Sequence, residues 1–252
     1  SMGADMIATG HYAKIAKYKD HFVLDTPKDN SKDQSYFLHA LSSEQLSHVM
    51  FPLGDLTKKE VREIARTHNL PVSDKKDSTG ICFIGNQKFD EFITQHLKAI
   101  PGDIIDENGK VLGKHKGLVC YTLGQRKGIG LGGIKDNESE NNTHKPWYVA
   151  AKDVVNNTLT IVQNTNHPLL MSKNVEASHM HWVLEETPKV GDKLMAQVRY
   201  RQQKQACTVV EASDEKVVVE FDSPQRAVTL GQSLVLYSGN YCLGGGFISY
   251  YK

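Results

Sequence analysis

No stretch of the chain holds the roughly 18 consecutive apolar residues of a membrane-crossing helix, and its first residues lack the charged-then-apolar pattern of a secretory signal. A cytoplasmic protein without a membrane partner is therefore expected. Cysteine is sparse: Cys82, Cys120, Cys207 and Cys242 lie far apart with no C-x-x-C pair, which argues against a zinc site and against a disulfide-dense scaffold. Charge of one sign is missing too. With 30 basic and 29 acidic residues the net charge is +1, so no global field marks a nucleic-acid binder and any such role rests on local patches. Two patches are candidates. Lys114-His115-Lys116 stands with Arg126-Lys127, and Arg199-Tyr200-Arg201 with Lys204, the second interleaving an aromatic suited to stacking on a base.

What is present divides the chain by periodicity. Residues 4–10 read as a short apolar strand ending at Gly10, of the kind covered on both faces. Ser42-x-x-Gln45 and Thr57-x-x-Glu60 are capping boxes that open helices, the second continuing through Val61, Ile64, Ala65 and Leu70 to Pro71. Phe89, Phe92, Ile93 and Leu97 recur on one helical face, a core-packing stripe. From about residue 103 the period becomes two, with Asn108-Gly109 as a hairpin turn. Strands are expected at 147–149, 159–162, 194–200, 206–211, 216–221, 232–237 and 246–251, and this run of short strands suggests a small closed barrel. The polar stretch Lys135 to Lys145 reads as a surface loop.

Asp77-Ser78-Thr79-Gly80-Ile81-Cys82-Phe83-Ile84-Gly85 sets a thiol among apolar residues, between two glycines and just ahead of a predicted helix. Helix-terminal N–H groups can stabilise a thiolate there and make it a nucleophile; a small buried hydrophobe fits the run equally well. Gly128-Ile129-Gly130-Leu131-Gly132-Gly133 matches the letters of a dinucleotide loop, but no helical pattern follows, so it reads as tight backbone. Gly244-Gly245-Gly246 reads as a strand bend rather than a phosphate cradle. His179 and His181 share a predicted strand face without a third ligand and read as exposed strand residues. Lys32-Asp33-Gln34 tops an apolar element, either as a helix start favoured by the Asp33 charge or as a set of contacts to a base edge and a phosphate.

Seven runs stand in one order along the chain: Thr9-Gly10-His11-Tyr12-Ala13, Lys32-Asp33-Gln34-Ser35-Tyr36-Phe37, Phe51-Pro52-Leu53-Gly54, Asp77 to Gly85, Leu123-Gly124-Gln125-Arg126-Lys127-Gly128, Arg199-Tyr200-Arg201-Gln202 and Cys242-Leu243-Gly244-Gly245-Gly246. Together they resemble the tRNA-specific 2-thiouridylases over essentially the whole length. The resemblance implies an enzyme that uses ATP with Mg2+ to replace the C2 oxygen of the wobble uridine of tRNA with sulfur. It implies that Cys82 carries the persulfide, that Gly10 lies at the ATP site, and that His11, Lys32, Asp33, Gln34, Arg199, Tyr200 and Gln232 contact tRNA; no metal ligand is implied. A cysteine desulfurase or sulfur-relay protein is the expected donor. Adenylation makes the uracil oxygen a leaving group, the persulfide attacks C2, and a second cysteine normally resolves it by thiol-disulfide exchange.

The family's Ser-Gly-Gly-Val-Asp-Ser loop, Asn-Pro-Asp segment and partner cysteine do not occur in this sequence. The expectation is thus a C-terminal part of the enzyme, inactive alone. Its implied fold is an α/β remnant of an adenine-nucleotide alpha hydrolase-like (PP-loop) domain over residues 1–51, to which the Cys82 segment at about 78–95 returns, a central tRNA-binding module over 52–159, and a six-stranded β-barrel over 160–252. Two other readings stay open: a noncatalytic RNA-binding module with a structural Cys82, and a cysteine hydrolase with His11 as base.

Overall fold

The computed structural model describes residues 3–74, 89–131, 145–184 and 186–252, the side chains of residues 89–91 and 93 excepted. The Cys82 run and almost all of the stretch 135–145 lie outside these residues. The N-terminal segment contains β1 (Ile7–Ala8), a hairpin of β2 (Lys14–Tyr18) and β3 (His21–Asp25), α1 (Ser35–Leu38), α2 (Ser43–Ser47), β4 (Val49–Met50) and α3 (Lys58–Thr67). Both capping boxes form with reciprocal bonds, Ser42 with Gln45 and Thr57 with Glu60. β1 pairs in parallel with β4 as its one neighbour among the described residues, and Ile7 is 63% exposed. A two-stranded ribbon has no layer to cover it, so the strand expected to be covered on both faces is open here.

The middle of the chain carries α4 (Phe89–His96), β5 (Gly102–Ile105), β6 (Val111–His115), β7 (Tyr148–Asp153) and β8 (Thr158–Val162), the strands forming one sheet in the order β6-β5-β8-β7. The hairpin at Asn108-Gly109 is present: Asp106 Oδ1 accepts from the N–H groups of Asn108 and Lys110, and Gly109 takes a φ of +82°. Ile104, Val149, Leu159 and Ile161 pack the core of this sheet with Tyr121 and Ile129. Leu97, expected in a core stripe, is 49% exposed, because α4 ends at His96 and the stripe loses its helix there.

The last part of the chain supplies β9 (Met171–Trp182), β10 (Lys193–Gln197), β11 (Gln205–Ala212), β12 (Lys216–Arg226), β13 (Ser233–Ser238) and β14 (Tyr241–Tyr251). They run in the order β13-β10-β11-β12-β9-β14 and close through β13–β14 into a six-stranded barrel. The sixth strand is β9, of which the sequence marks only His179 and His181 as strand residues. Two compact units result: residues 1–76, 173–225 and 230–252 in one, and residues 77–172 with 226–229 in the other.

In the first unit β14 also pairs with β3 at Tyr241 and Asp25, so the N-terminal hairpin extends the barrel sheet. β12 shows the half-buried alternation, with Val217, Val219 and Phe221 inside. β13 is buried on both faces. Leu234 and Leu236 point one way, while Val235 and Tyr237 join Ala13, Val23, Leu24, Tyr36 and Leu46 in a core shared with the N-terminal segment. Each fully buried aliphatic side chain there contributes roughly 1.5–3 kcal/mol, so the N-terminal segment is held by the barrel's outer face.

The glycine run lies within β14 between β9 and β13, flanked by shifts of register on both sides. Gly244 has a φ of +136°, and a Cβ there would collide with the carbonyl oxygen of His181 and stand 3.0 Å from Trp182 Cα. A Cβ on Gly245 would stand 2.7 Å from Leu234 O and 2.9 Å from His39 Nδ1. Bulges accompany the run, and His179 has a φ of +52°. That bulge separates His179, which is exposed, from half-buried His181, so the two do not share one exposed face as expected. Gly244→Ala is expected to lower unfolding free energy by roughly 2–4 kcal/mol in a urea titration, against about 1 kcal/mol for Gly109→Ala, where the space is open. Equal losses would contradict the packing argument.

Candidate nucleic-acid interface

Within the first unit the segment 29–37 meets the connection between β10 and β11, residues 198–204. Asp29 caps the turn Asn30–Lys32 by accepting from Ser31 N, and its other oxygen accepts from Lys58 N at 2.9 Å. These bonds hold the Asp29 carboxyl below the usual carboxylate range. Asp33 Oδ1 accepts from Ser35 N at 2.8 Å and starts α1. Asp33 Oδ2 stands 3.7 Å from Lys204 Nζ. Gln34 clamps Tyr12 twice, accepting from Tyr12 N through Oε1 at 2.9 Å and donating its own N–H to Tyr12 O at 3.0 Å. That clamp fixes the adjoining Gly10 and His11. His11 Nδ1 is hydrogen-bonded to Thr9 Oγ1 at 2.8 Å and its ring meets the edge of Phe51, while Gly10 is exposed, with only Leu53 Cδ1 within 4 Å of a built Cβ.

From the barrel side, Lys204 Nζ donates to Thr26 Oγ1 at 2.8 Å and stands 3.8 Å over the Tyr237 ring. Burial pushes its pKa down, and Asp33 partly restores it. Tyr237 is fully buried. Its hydroxyl donates to Gln197 Oε1 at 2.8 Å and meets Ser35 Oγ at 3.2 Å. The chain of bonds continues from Gln197 Nε2 to Gln202 O, from Gln202 Nε2 to Gln225 Oε1 at 2.6 Å, and from Gln225 Nε2 to Ser223 O. This network sets the turn that carries Arg199, Tyr200 and Arg201, the last with a φ of +63°. The Tyr200 ring lies 4.2 Å from that of Phe37, and the Arg201 guanidinium stands 5.4 Å from the Tyr200 ring. Burial raises the pKa of the Tyr36 hydroxyl, and the nearby Arg199 charge opposes the rise. Beside this turn a cavity of about 620 Å³ is lined by Asn30, Ser31, Asp33, Arg201 and Lys204 among others.

Lys32, Asp33, Gln34, Arg199 and Tyr200 thus belong to one surface, with Gly10 and His11 tied to it through Gln34. Gln232 adjoins it: its carbonyl accepts from Ile248 N, and the next residue, Ser233, accepts from Tyr36 Oη at 2.9 Å and bonds His39 Nε2 at 3.0 Å. Cys82 lies outside the described residues. No motif announces the Tyr237–Gln197–Gln202 network, since isolated glutamines between strand residues carry no pattern. Of Lys114-His115-Lys116 only the two lysines are exposed. His115 is buried, accepting from Gly117 N and bonded to Asn157 O, and Lys114 pairs with Asp103 at 2.6 Å.

The second unit presents its own basic loop. Gly124 has a φ of +78°, donates to Val149 O, and its built Cβ would lie 2.8 Å from Ala227 Cβ, so only glycine fits. Gln125 stiffens the turn, accepting from Thr122 N and donating to Lys127 O. Arg226 braces it from behind, bonded to Thr165 O and Gly124 O and stacked 5.1 Å from Tyr148. Arg126 and Lys127 remain exposed at the tip.

Two outcomes follow from this geometry. Tyr237→Phe leaves Gln197 Oε1 short of a buried donor and is expected to lower stability by about 1–3 kcal/mol in urea unfolding; no loss would mean that the network does not hold the turn. His39 behaves as a pH-dependent weak point. Burial and then the His181 charge lower its pKa from 6.5, and its Nδ1 has no hydrogen-bond partner among the described residues. A depressed pKa means that the unfolded chain takes up the proton first, so stability present above 6.5 falls as pH drops below it. Urea midpoints taken between about pH 7.5 and 5.5 should fall less for His39→Gln than for the parent; parallel curves would refute the assignment.

Comparison with known proteins matches three consecutive family models: the tRNA methyl transferase HUP domain over residues 1–86, the tRNA methyl transferase PRC-barrel domain over 90–163, and the Aminomethyltransferase beta-barrel domain over 172–248. A curated protein of Aliarcobacter butzleri (strain RM4018), the tRNA-specific 2-thiouridylase MnmA 2, is 93% identical over 252 residues, which are 100% of this chain and 69% of that protein. The tRNA-specific 2-thiouridylase MnmA of Burkholderia ambifaria is 50% identical over 250 residues, 99% of this chain and 64% of that protein. The one from Alcanivorax borkumensis is 49% identical over 248 residues, 98% of this chain and 66% of that protein. The chain thus spans about two thirds of the length of these relatives, and slightly less in the last two.

Proposed function

Because the chain belongs to the tRNA-specific 2-thiouridylase family, we propose that it holds tRNA and carries the transferable sulfur in 2-thiolation of the wobble uridine. The observation that carries this reading is the convergence of Lys32-Asp33-Gln34 with Arg199-Tyr200 on one surface, although the two runs lie far apart in sequence. The two segments carry four cationic residues, Lys32, Arg199, Arg201 and Lys204, against two carboxylates, Asp29 and Asp33. That balance suits a phosphate backbone, which positions the RNA, while the aromatic residues of the same surface lie beside it for base contacts. Arg126 and Lys127 in the second unit supply a further phosphate contact.

Cys82 is the sulfur carrier in this proposal. A cysteine desulfurase or a relay protein loads it as a persulfide; the terminal sulfur attacks C2 as AMP leaves with the former C2 oxygen, and a second thiol then breaks the sulfur–sulfur bond, forming a disulfide with Cys82 and freeing the thiouridine. The other thiols support the choice by their unsuitability. Cys120, Cys207 and Cys242 are buried, and burial pushes Cys207 and Cys242 up to about 12, so neither of these two is a thiolate at neutral pH. None of them is assigned the resolving role. ATP with Mg2+ supplies, in this chemistry, the adenylate that makes the C2 oxygen a leaving group. The described residues do not make an ATP site: Gly10 leaves open space for a close backbone approach, but the phosphate-binding Ser-Gly-Gly-Val-Asp-Ser loop does not occur in the sequence. The chain alone is therefore expected to bind tRNA without thiolating it, in the cytoplasm.

Two measurements test the reading. Incubation with a cysteine desulfurase, its relay and cysteine should add one sulfur to the Cys82 peptide by mass spectrometry, and a chain that stays unloaded would contradict the carrier role. Affinity for unmodified tRNA should fall with salt, and Arg201→Gln should lower the slope of log K against log salt by about one; an unchanged slope would remove Arg201 from the phosphate contacts.

A further inference from the structure

Tyr200 is the aromatic that the sequence marks for base stacking, but the fold spends it elsewhere. Its ring packs 4.2 Å from Phe37 and 6.3 Å from Tyr36, and Arg201 stands over it at 5.4 Å. It also belongs to the partly buried rim of the core around Tyr237. The open aromatic is Phe37. On the four-residue helix α1, Ser35 and Tyr36 are buried, whereas Phe37 is 58% exposed. Its ring is tilted 42° to that of Tyr200 at 4.2 Å and meets Tyr36 edge-on at 5.7 Å and 75°, and these two contacts leave more than half of the residue open to solvent. Burying a Phe ring is worth roughly 1.5–3 kcal/mol, so leaving this one open forgoes a folding gain that its neighbour Tyr36 collects.

We propose that Phe37 is the stacking platform for an unpaired nucleobase of the bound RNA, with Tyr200 as the ring that props it from beneath. The proposal rests on the RNA-binding reading above and goes beyond it by assigning the base-contacting surface to a residue outside the implied contact set. Three features favour a nucleobase over an apolar protein segment. The platform is one ring wide rather than a groove. Cations stand beside the rings that hold it, Arg201 over Tyr200 at 5.4 Å and Arg199 near Tyr36, and the two segments that carry these rings hold four cations against two carboxylates. And its support is rigid: Tyr36 is tied to Ser233 by its hydroxyl, and Asp33 caps the start of the helix. A preset aromatic face beside phosphate-binding charges is the usual arrangement for gripping single-stranded nucleic acid. Tyr200 acts through Phe37 and is a positioning residue here.

The test compares two RNAs of equal length on the whole chain, one a stem with an unpaired loop and one fully paired, by fluorescence anisotropy. Phe37→Ala is expected to weaken binding of the looped RNA by about 5- to 150-fold, the range that one stacked base is worth, and to leave the paired RNA within about twofold. Phe37→Trp should restore looped-RNA affinity, and Phe37→Leu should not, because leucine keeps the apolar bulk and loses the π face. The salt slope should be the same in all four proteins, since no phosphate contact changes. Unchanged urea midpoints for the variants are expected, as the ring is exposed. If Phe37→Ala weakens both RNAs alike, or neither while the parent binds the looped RNA, the stacking role is wrong and the face serves another partner. If the parent itself binds neither RNA, the RNA-binding reading falls and takes this role with it.

Discussion

One buried hydroxyl organises the surface on which this protein's function is read. Tyr237 sits on a strand covered on both faces, where its oxygen has no water to turn to, so it must find partners in the protein. It finds Gln197 at the end of β10 and Ser35 at the start of α1. A desolvated polar group that is left unpaired costs more than a hydrogen bond gains, and that asymmetry makes the junction specific. The N-terminal helix cannot slide along the barrel without abandoning Tyr237, and the turn after β10 cannot relax without abandoning Gln197.

The consequences for chemistry follow from that junction. Lys204, held over the same ring and beside Asp33, is desolvated enough to lose proton affinity yet paired enough to stay in place. Phe37 and Tyr200 pack ring against ring because their backbones are fixed from below, with Arg201 exposed on the turn and Arg199 half-buried beside it. The second unit solves a similar problem with other means: a glycine at positive φ, a glutamine bonded across its own loop, and an arginine braced on Tyr148 keep Arg126 and Lys127 at a tip. Rigid presentation of cations matters for a polyanion, since side chains that are already ordered lose less entropy on binding.

Much of this was legible in the residues. The capping boxes at Ser42 and Thr57 and the turn at Asn108-Gly109 are local devices whose partners lie within a few positions, and they form as their spacing requires. The closed six-stranded barrel follows from a run of short strands, although only the His179–His181 stretch of β9 was marked among them. Long-range choices were not legible. Nothing near His115 announces that Gly117 and Asn157 will satisfy it inside a core, and nothing near Gly245 announces that the side chain of His39 will stand against it. Tyr200 and Phe37 illustrate the limit at the site itself: both are aromatic and both flank basic residues, and only the fold decides which ring is propped and which is open. The Cys82 run lies outside the described residues, so its role rests on its sequence and on the family.

The most direct check is where RNA touches the chain. A hairpin RNA carrying 4-thiouridine in its loop, irradiated in complex with the whole chain and mapped by mass spectrometry, should form adducts in peptides from both 30–38 and 197–204. Adducts confined to one of these segments, or found only elsewhere, would contradict the claim that the fold joins them into a single RNA-binding surface.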